Sequence, residues 1–287
     1  MRPFRWDIKR REQLGRLAEG ELSDAYPEFV DDLRGLSAHV IAASRDADIA
    51  FIGRSPESVF DYLSGVLLDT AWSERLLLVN LSMRYNSPRD VRRDHPEAMA
   101  ALQHHLAELQ LSPAQLIKRQ RPVALVDLVS SGSTFRYVTE LIMEFAKEST
   151  VDLAAVRQKL RFVGITWRTK NSPNTYRWHQ HAGWLDPFSG TPVRNISIPG
   201  PMWNYLGNSQ AKVTSSNPPW RWGDPNISVP PRDEANLAAL RRALTLFDLG
   251  ASVEERRRFS DALCKETAMR FSWFRQLVTE LRGHSRS

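Results

Sequence analysis

Cysteine is almost absent from this chain, and its scarcity limits the chemistry that the protein can hold. The single cysteine among 287 residues, Cys264, excludes an internal disulfide and a metal site built from several thiolates. Long apolar runs are absent as well, and the charged stretch at 1–13 lacks the apolar segment of a signal peptide. We therefore expect a soluble, cytoplasmic protein that does not enter a membrane.

Familiar ligand-binding signatures are also missing. The chain has no Gly-Lys-Ser/Thr at P-loop spacing and no Gly-x-Gly-x-x-Gly fingerprint. His179 and His181 stand two residues apart, but no third metal ligand follows nearby, so the sequence predicts no zinc site. The net charge is only +6, from 39 basic and 33 acidic residues, which is compatible with an anionic ligand. No helix pattern is basic along one face, so nucleic-acid binding has weak support.

What the chain does contain is a series of apolar runs that alternate with helical patterns. Runs at 49–52, 75–83, 123–129 and 160–169 are predicted strands, and 195–198 is a further candidate. Because these runs are apolar throughout and helices separate them, we predict an α/β fold with a parallel central sheet flanked by helices.

Helical patterns extend the chain at both ends of the predicted sheet. The patterns cover 7–19 and 25–44 before it, and 233–249 and 253–282 after it. We expect the apolar stripes of the last two helices to pack on each other or on the sheet domain; the alternative is that they mediate a homodimer or bind another protein. The predicted divisions are N-terminal helices (1–45), an α/β domain (46–231) with an irregular Pro- and Trp-rich region from about 170, and a C-terminal helical hairpin (232–287).

Two polar turns occupy the place where parallel sheets bind ligands, beyond the carboxyl ends of the strands. The turn at 53–57 follows the first strand, and the turn at 130–134 follows the third. Each turn leads into a helix, whose free N–H groups and dipole favour an anion. Ser and Thr are also common at such junctions because they cap helices, so capping is the alternative interpretation. Asp127 would repel a phosphate, so its expected partner is a sugar hydroxyl or a hydrated metal ion.

The stretch VALVDLVSSGST, residues 123–134, resembles the signature of type I phosphoribosyltransferases. IAFIGRSPES, residues 49–58, is similar to the first strand and pyrophosphate loop of that family. The resemblance covers about 48–170 and implies a nucleotide or phosphoribosyl pyrophosphate as ligand. It assigns Asp127 to the ribose hydroxyls, Ser130, Ser131, Gly132, Ser133 and Thr134 to the 5′-phosphate, and Gly53, Arg54 and Ser55 to the pyrophosphate.

The implied reaction transfers a 5-phosphoribosyl group to a nitrogen base and releases pyrophosphate, with Mg²⁺ held through that pyrophosphate. Arg54 is the expected partner of the leaving group, and the basic loop at 84–96 corresponds to the flexible flap of the family. The flap would contribute Arg84, Arg89, Arg92 and Arg93, and the base would stack on Trp167, Trp178, Trp184 or Trp203.

One position departs from the family pattern: Leu128 stands where the family has a second acid. Three functions therefore stay open. The protein is a phosphoribosyltransferase, a non-catalytic nucleotide-sensing regulator on the same fold, or a scaffold whose helical ends bind protein or nucleic acid. Leu128 favours the second.

Overall fold

The structure is a computed structural model, and it describes residues 5–18, 26–81, 87–168, 177–214, 218–222 and 229–283. Its centre is a sheet of five strands, which confirms the predicted α/β class. The strands are β1 (Asp48–Ile52), β2 (Leu76–Val79), β3 (Val123–Val129), β4 (Leu160–Trp167) and β5 (Val193–Ile198). Their order across the sheet is β2–β1–β3–β4–β5, and each neighbouring pair is parallel.

Helices connect and cover the strands. None of those that the structure describes is long and apolar enough to cross a membrane. The helices are α1 (Phe29–Ser44), α2 (Glu57–Val66), α3 (Pro88–Asp94), α4 (Pro96–Glu108), α5 (Pro113–Lys118), α6 (Ser133–Glu148), α7 (Leu153–Gln158), α8 (Gly200–Asn204), α9 (Pro219–Trp222), α10 (Glu234–Ala251), α11 (Val253–Cys264) and α12 (Ser272–Gly283).

Each face of the sheet has its own apolar core. On one face, residues of α1, α2, α11 and α12 pack against Phe51, Val126 and Ile165. On the other, residues of α4, α5, α6 and α7 pack against Leu125 and Phe162. Coverage on both faces is why the strands read as continuous apolar runs rather than alternating patterns.

The N-terminal helix predicted at 7–19 is wrong. The chain there forms two short 3₁₀ turns, Arg11–Gln13 and Gly15–Ala18. Gly15 adopts φ +50° between them, and a backbone in the left-handed region cannot continue a right-handed helix.

The first helix of the predicted C-terminal pair is confirmed as α10, but the single second helix predicted at 253–282 is wrong, because the structure has two helices there, α11 and α12. A continuous helix over 253–282 would be about 45 Å long. Instead the chain turns through Thr267–Arg270, which lets Leu263 of α11 and Phe274 of α12 enter the same core as the sheet. α10 packs closely on α2 because Gly65 of α2 has no side chain. A Cβ at that position would lie only 2.0 Å from the Phe247 carbonyl oxygen.

The basic segment at 84–96 is not a loop over its described part. Residues 88–94 form α3, and α4 begins at Pro96. Both prolines occupy the first turn of a helix, where the missing N–H costs nothing. Ser87 caps α3 by accepting a bond from the Asp90 N–H (3.2 Å).

Candidate functional site

The candidate site lies where the order of the strands reverses. β1 pairs with β2 on one side and with β3 on the other, so connections diverge at the carboxyl ends of β1 and β3. In open parallel sheets this reversal point is where ligands bind. Phe51 of β1 is paired with Val126 of β3, so the turns at 53–57 and 130–134 leave the sheet side by side.

The turn after β3 presents hydroxyl groups to solvent and leads into a helix without a side-chain cap. Ser130, Ser131 and Ser133 are exposed. Gly132 holds the N-cap position of α6 at φ +80°, and no side chain caps the helix. The capping interpretation of these serines is therefore wrong. The first-turn N–H groups of α6 need an acceptor from outside the helix, and the helix dipole favours an anion there.

A buried tryptophan supports this turn from below. A Cβ on Gly132 would lie 2.5 Å from Trp178 Cε3, so no other residue fits at this position without a shift. Trp178 is 1% exposed, stacks on Trp184, and donates from Nε1 to Asn195 Oδ1 (2.9 Å). Its prediction as a stacking surface for a base is wrong, because the ring is already covered.

Asp127 is buried at the end of β3, where it is held by its neighbours. It is 5% exposed and accepts a hydrogen bond from the Leu128 N–H (2.8 Å). Burial raises the pKa of Asp127 to about 7, and the hydrogen bond with Thr134 and the charge of Lys212 only partly offset this. At neutral pH the carboxyl group is about half protonated, which weakens its repulsion of a nearby phosphate.

Leu128 points to the opposite face of β3 from Asp127, because side chains alternate along a strand. It packs at the edge of the core, and its Cδ2 lies 3.2 Å from where a Cβ on Gly207 would be. Gly207 belongs to a single π-helical turn, Tyr205–Ser209. Position 128, where the resemblance would expect a second acid, is therefore an apolar packing position beneath this turn.

The turn after β1 is covered by the same irregular segment. Gln210 donates from Nε2 to the Ser55 carbonyl oxygen (2.6 Å), and it accepts at Oε1 from the Ser58 hydroxyl (2.6 Å). Gly53 has φ +72° and continues the ladder by donating to the Val79 carbonyl oxygen (2.9 Å). Arg54 and Ser55 are half-buried, so this turn offers less open surface than the turn after β3.

An ion cluster fixes the helix that follows the turn after β1. Glu57 accepts from the N–H groups of Val213 (2.9 Å) and Thr214 (3.1 Å). Arg5 lies 3.5 Å from Glu57 and hydrogen-bonds Asp61, and all three side chains are buried. Burial raises the pKa of both carboxyl groups, although Arg5 opposes the shift. The sequence predicted none of these contacts, because their partners lie far apart in the chain, up to 157 residues.

Lys212 is the residue of this site that sequence reasoning missed. Burial lowers its pKa to about 8; Glu57 and Asp127 act against the shift, and Arg54 adds to it. Its Nζ donates to the Leu206 carbonyl oxygen (2.5 Å). A lone lysine in an irregular, Pro- and Trp-rich region carries no sequence signal, so only the fold reveals its place among these groups.

The described arginines of the predicted flap make surface contacts. Arg92 donates to Glu144 of α6 (2.9 Å) and pairs with Glu148. Arg93 pairs with Asp94 (2.7 Å), and Arg89 is exposed. Arg84 lies outside the described residues. The ion pairs of Arg92 run to the outer face of α6, so they do not bring it to the turns.

Two of the predicted aromatic residues do lie at the carboxyl edge of the sheet. Trp167 ends β4, is 55% exposed, and stacks on Trp203 of α8, with ring centroids 6.1 Å apart. Trp203 also lies near Gly207, which contacts Leu128. An aromatic surface therefore adjoins the site on the Leu128 face of β3.

Within the described ranges, no group of three or more His, Cys, Asp and Glu side chains is placed to hold a metal ion. No protein-family model matches the chain, and neither a curated protein sequence nor a solved structure matches it. The resemblance to type I phosphoribosyltransferases therefore rests on the residues of this chain and on no wider similarity.

Proposed function

We propose that this protein binds a phosphorylated ribose, as phosphoribosyl pyrophosphate or a nucleotide, at the carboxyl ends of β1 and β3. The observation that carries the proposal is the turn after β3: exposed hydroxyls, a left-handed glycine and an uncapped 16-residue helix at the point where strand order reverses. The phosphate accepts from the first-turn N–H groups of α6 and from the serine hydroxyls.

The groups around that turn suit the rest of such a ligand. Asp127 accepts a hydrogen bond from a ribose hydroxyl, and Arg54 and Lys212 provide positive charge for a second phosphate. The five-stranded parallel sheet and its turns are consistent with a type I phosphoribosyltransferase fold, which we propose for residues 48–170. The exposed ring of Trp167 offers a surface on which a base could stack.

Of the two candidate functions, Leu128 favours binding of the ligand without phosphoribosyl transfer. The packing of Leu128 against Gly207 leaves one carboxylate, Asp127, where the family uses two. A nucleotide-sensing protein needs affinity but not the second acid.

Phosphoribosyl transfer is the second candidate, and the cluster of shifted pKa values favours it. Asp127 and Lys212 titrate close to neutral pH, as groups at catalytic sites often do. In this reading the nitrogen base attacks the anomeric carbon, and the bond to pyrophosphate breaks. Arg54 and Mg²⁺ carried by the pyrophosphate stabilise the leaving group, and Asp127 positions the ribose.

Calorimetry with phosphoribosyl pyrophosphate and nucleoside monophosphates, in the presence of Mg²⁺, tests the proposal. Ser133→Asp places a negative charge where the phosphate should lie, while it stabilises α6 through the helix dipole by about 0.3–1 kcal/mol. We expect saturable binding by the wild type and none by this variant. Ser149→Asp adds the same charge at the other end of α6 and should bind normally. Equal binding by the two variants would place the ligand elsewhere.

Asp127→Asn separates the sugar contact from the phosphate contact. We expect this variant to bind phosphoribosyl pyrophosphate more weakly and to bind inorganic phosphate with unchanged affinity. Release of pyrophosphate with a panel of bases then decides between transfer and binding alone. If no phosphorylated ribose binds the wild type, the proposal is wrong.

A further inference from the structure

A cavity lies next to the buried ion cluster, because Arg5 belongs both to that cluster and to the cavity wall. It has a volume of about 410 Å³ and is enclosed by residues 5–10, one side of α2 and strand β2. Such a volume suits a small molecule. Neither the 53–57 turn nor the 130–134 turn lines it.

Three residues in the wall of this cavity have a buried polar atom with no hydrogen-bond partner in the part of the chain that the structure describes. The atoms are Trp6 Nε1, Ser64 Oγ and Asn80 Nδ2. Each of these residues is at most 4% exposed. An unsatisfied buried polar group costs about 1–3 kcal/mol, so three around one cavity are unusual in a folded protein.

The chemistry of these atoms specifies what would satisfy them. Indole and amide nitrogens are donors only, and a hydroxyl can donate. The Thr214 hydroxyl donates to Asn80 Oδ1 (3.4 Å), which leaves the Asn80 Nδ2 group for another partner. The complementary group is therefore an acceptor, such as a carbonyl or carboxylate oxygen.

The remainder of the wall is mixed. Polar or charged side chains occupy one part of it (Asp7, Lys9, Arg10, Gln13, Ser73 and Glu74), and the other part is apolar and consists of Ile8, Phe60 and Leu76–Leu78 of β2. Burying an apolar body against such residues contributes about 25 cal/mol per Å². We propose that the cavity binds a small molecule with an apolar body and a terminal carbonyl or carboxylate oxygen.

Charge alone does not choose between a neutral and an anionic ligand. Lys9 and Arg10 lie at the rim together with Asp7 and Glu74. Arg5 is already paired with Glu57 and Asp61. Benzamide and benzoate have nearly the same shape and differ in charge, so the pair of probes distinguishes the two classes.

The indole N–H of Trp6 reports occupancy directly. We would label the full-length protein with ¹⁵N-tryptophan and assign the Trp6 indole signal, among nine tryptophans, from the spectrum of Trp6→Phe. Titration with each probe should shift this signal saturably. The indole of Trp203 is an internal control, because its Nε1 also has no partner among the described residues yet lies outside the cavity.

A matched pair of serine variants tests the contact. Ser64→Ala removes a donor from the wall and should weaken the better probe about 2- to 10-fold, the value of one hydrogen bond. Ser37→Ala removes a hydroxyl that is equally buried and also unpartnered among the described residues, but outside the cavity, and should leave the affinity unchanged. The proposal is overturned if neither probe shifts the Trp6 signal saturably, or if both variants weaken binding alike.

Discussion

The turns after β1 and β3 begin in the same way. In each, a buried parallel strand ends near a glycine in the left-handed region, and a helix without a side-chain cap follows. Beyond that they differ. Gln210 and the amides at 213 and 214 close over the turn after β1, whereas the serines of the turn after β3 face solvent. Two similar sequence signals thus give one closed turn and one open turn, because among the described residues the 210–214 segment covers the turn after β1 and leaves the serines of the turn after β3 exposed.

The largest expected effect concerns the ion cluster behind the closed turn. Arg5→Met leaves Glu57 and Asp61 buried without their cation, which costs about 3–5 kcal/mol in the free energy of unfolding at pH 8. The loss should be smaller at pH 5, because both carboxyl pKa values are raised by burial and protonation removes the charges. Urea denaturation at the two pH values measures this loss of stability.

Arg10→Met is the control for Arg5→Met. Arg10 pairs with Asp7 at 3.7 Å on the surface, where an ion pair contributes about 0–1 kcal/mol. Equal losses for the two variants would mean that the cluster does not hold the closed turn.

The next effect concerns the carboxyl group under the open turn. The folded pKa of Asp127 is about 7, above the unfolded value, so the contribution of this group to stability falls as pH rises from about 4 to about 7 and then levels off. Asp127→Asn removes this penalty and keeps an acceptor for the Leu128 N–H. The variant should match the wild type near pH 4 and be more stable by up to about 4 kcal/mol at pH 8. Denaturation curves from pH 4 to 8 check this, with the exposed Asp186→Asn as a control that changes little at any pH. A difference that does not vary with pH would show that Asp127 is not buried as described.

A third comparison isolates the packing under the open turn. Gly132→Ala meets two penalties, the strain of a Cβ at φ +80° and a contact of 2.5 Å with Trp178. Gly190→Ala meets only the first, because φ is +88° and nothing lies within 4 Å. We expect Gly132→Ala to lose about 1–3 kcal/mol more stability than Gly190→Ala in chemical denaturation. Losses of the same size would exclude Trp178 as the rigid support of the turn.

The smallest effect compares one serine from each region. Ser58→Ala removes the buried hydroxyl that donates to Gln210, and should cost about 1–2 kcal/mol. Ser131→Ala changes an exposed hydroxyl in the open turn, and stability should stay within about 0.5 kcal/mol. The same denaturation series measures both. If Ser131→Ala costs as much as Ser58→Ala, the turn after β3 is closed as well.

Much of the fold follows from local pattern. Four strands were predicted, and 195–198 was a candidate for the fifth, because apolar runs of this length, separated by helices, suit a sheet covered on both faces. The limits of the helices were less predictable. Gly15 interrupts the helix predicted at 7–19. The helix predicted at 253–282 is divided by a turn, which places Phe274 in the core. The prolines at 88 and 96 begin helices, although in sequence they resemble loop residues.

The candidate site was predictable only in part. Asp127 and the turn after it are visible because strand, acid and small-residue turn are contiguous. Lys212, Gln210 and the Arg5 cluster are not, because each acts on a partner far away in the chain. A single sequence contains no measure of such distant contacts.

The amino-acid sequence alone determined the α/β class, the parallel sheet and the two polar turns at the ends of its strands. These depend on interactions between near neighbours, through strand periodicity, turn chemistry and helix formation. The tertiary structure decided which turn is closed, which segment Leu128 packs against, and where unsatisfied donors lie around a cavity. Those features depend on burial, and burial is set by segments far apart in the chain that meet only when it is folded.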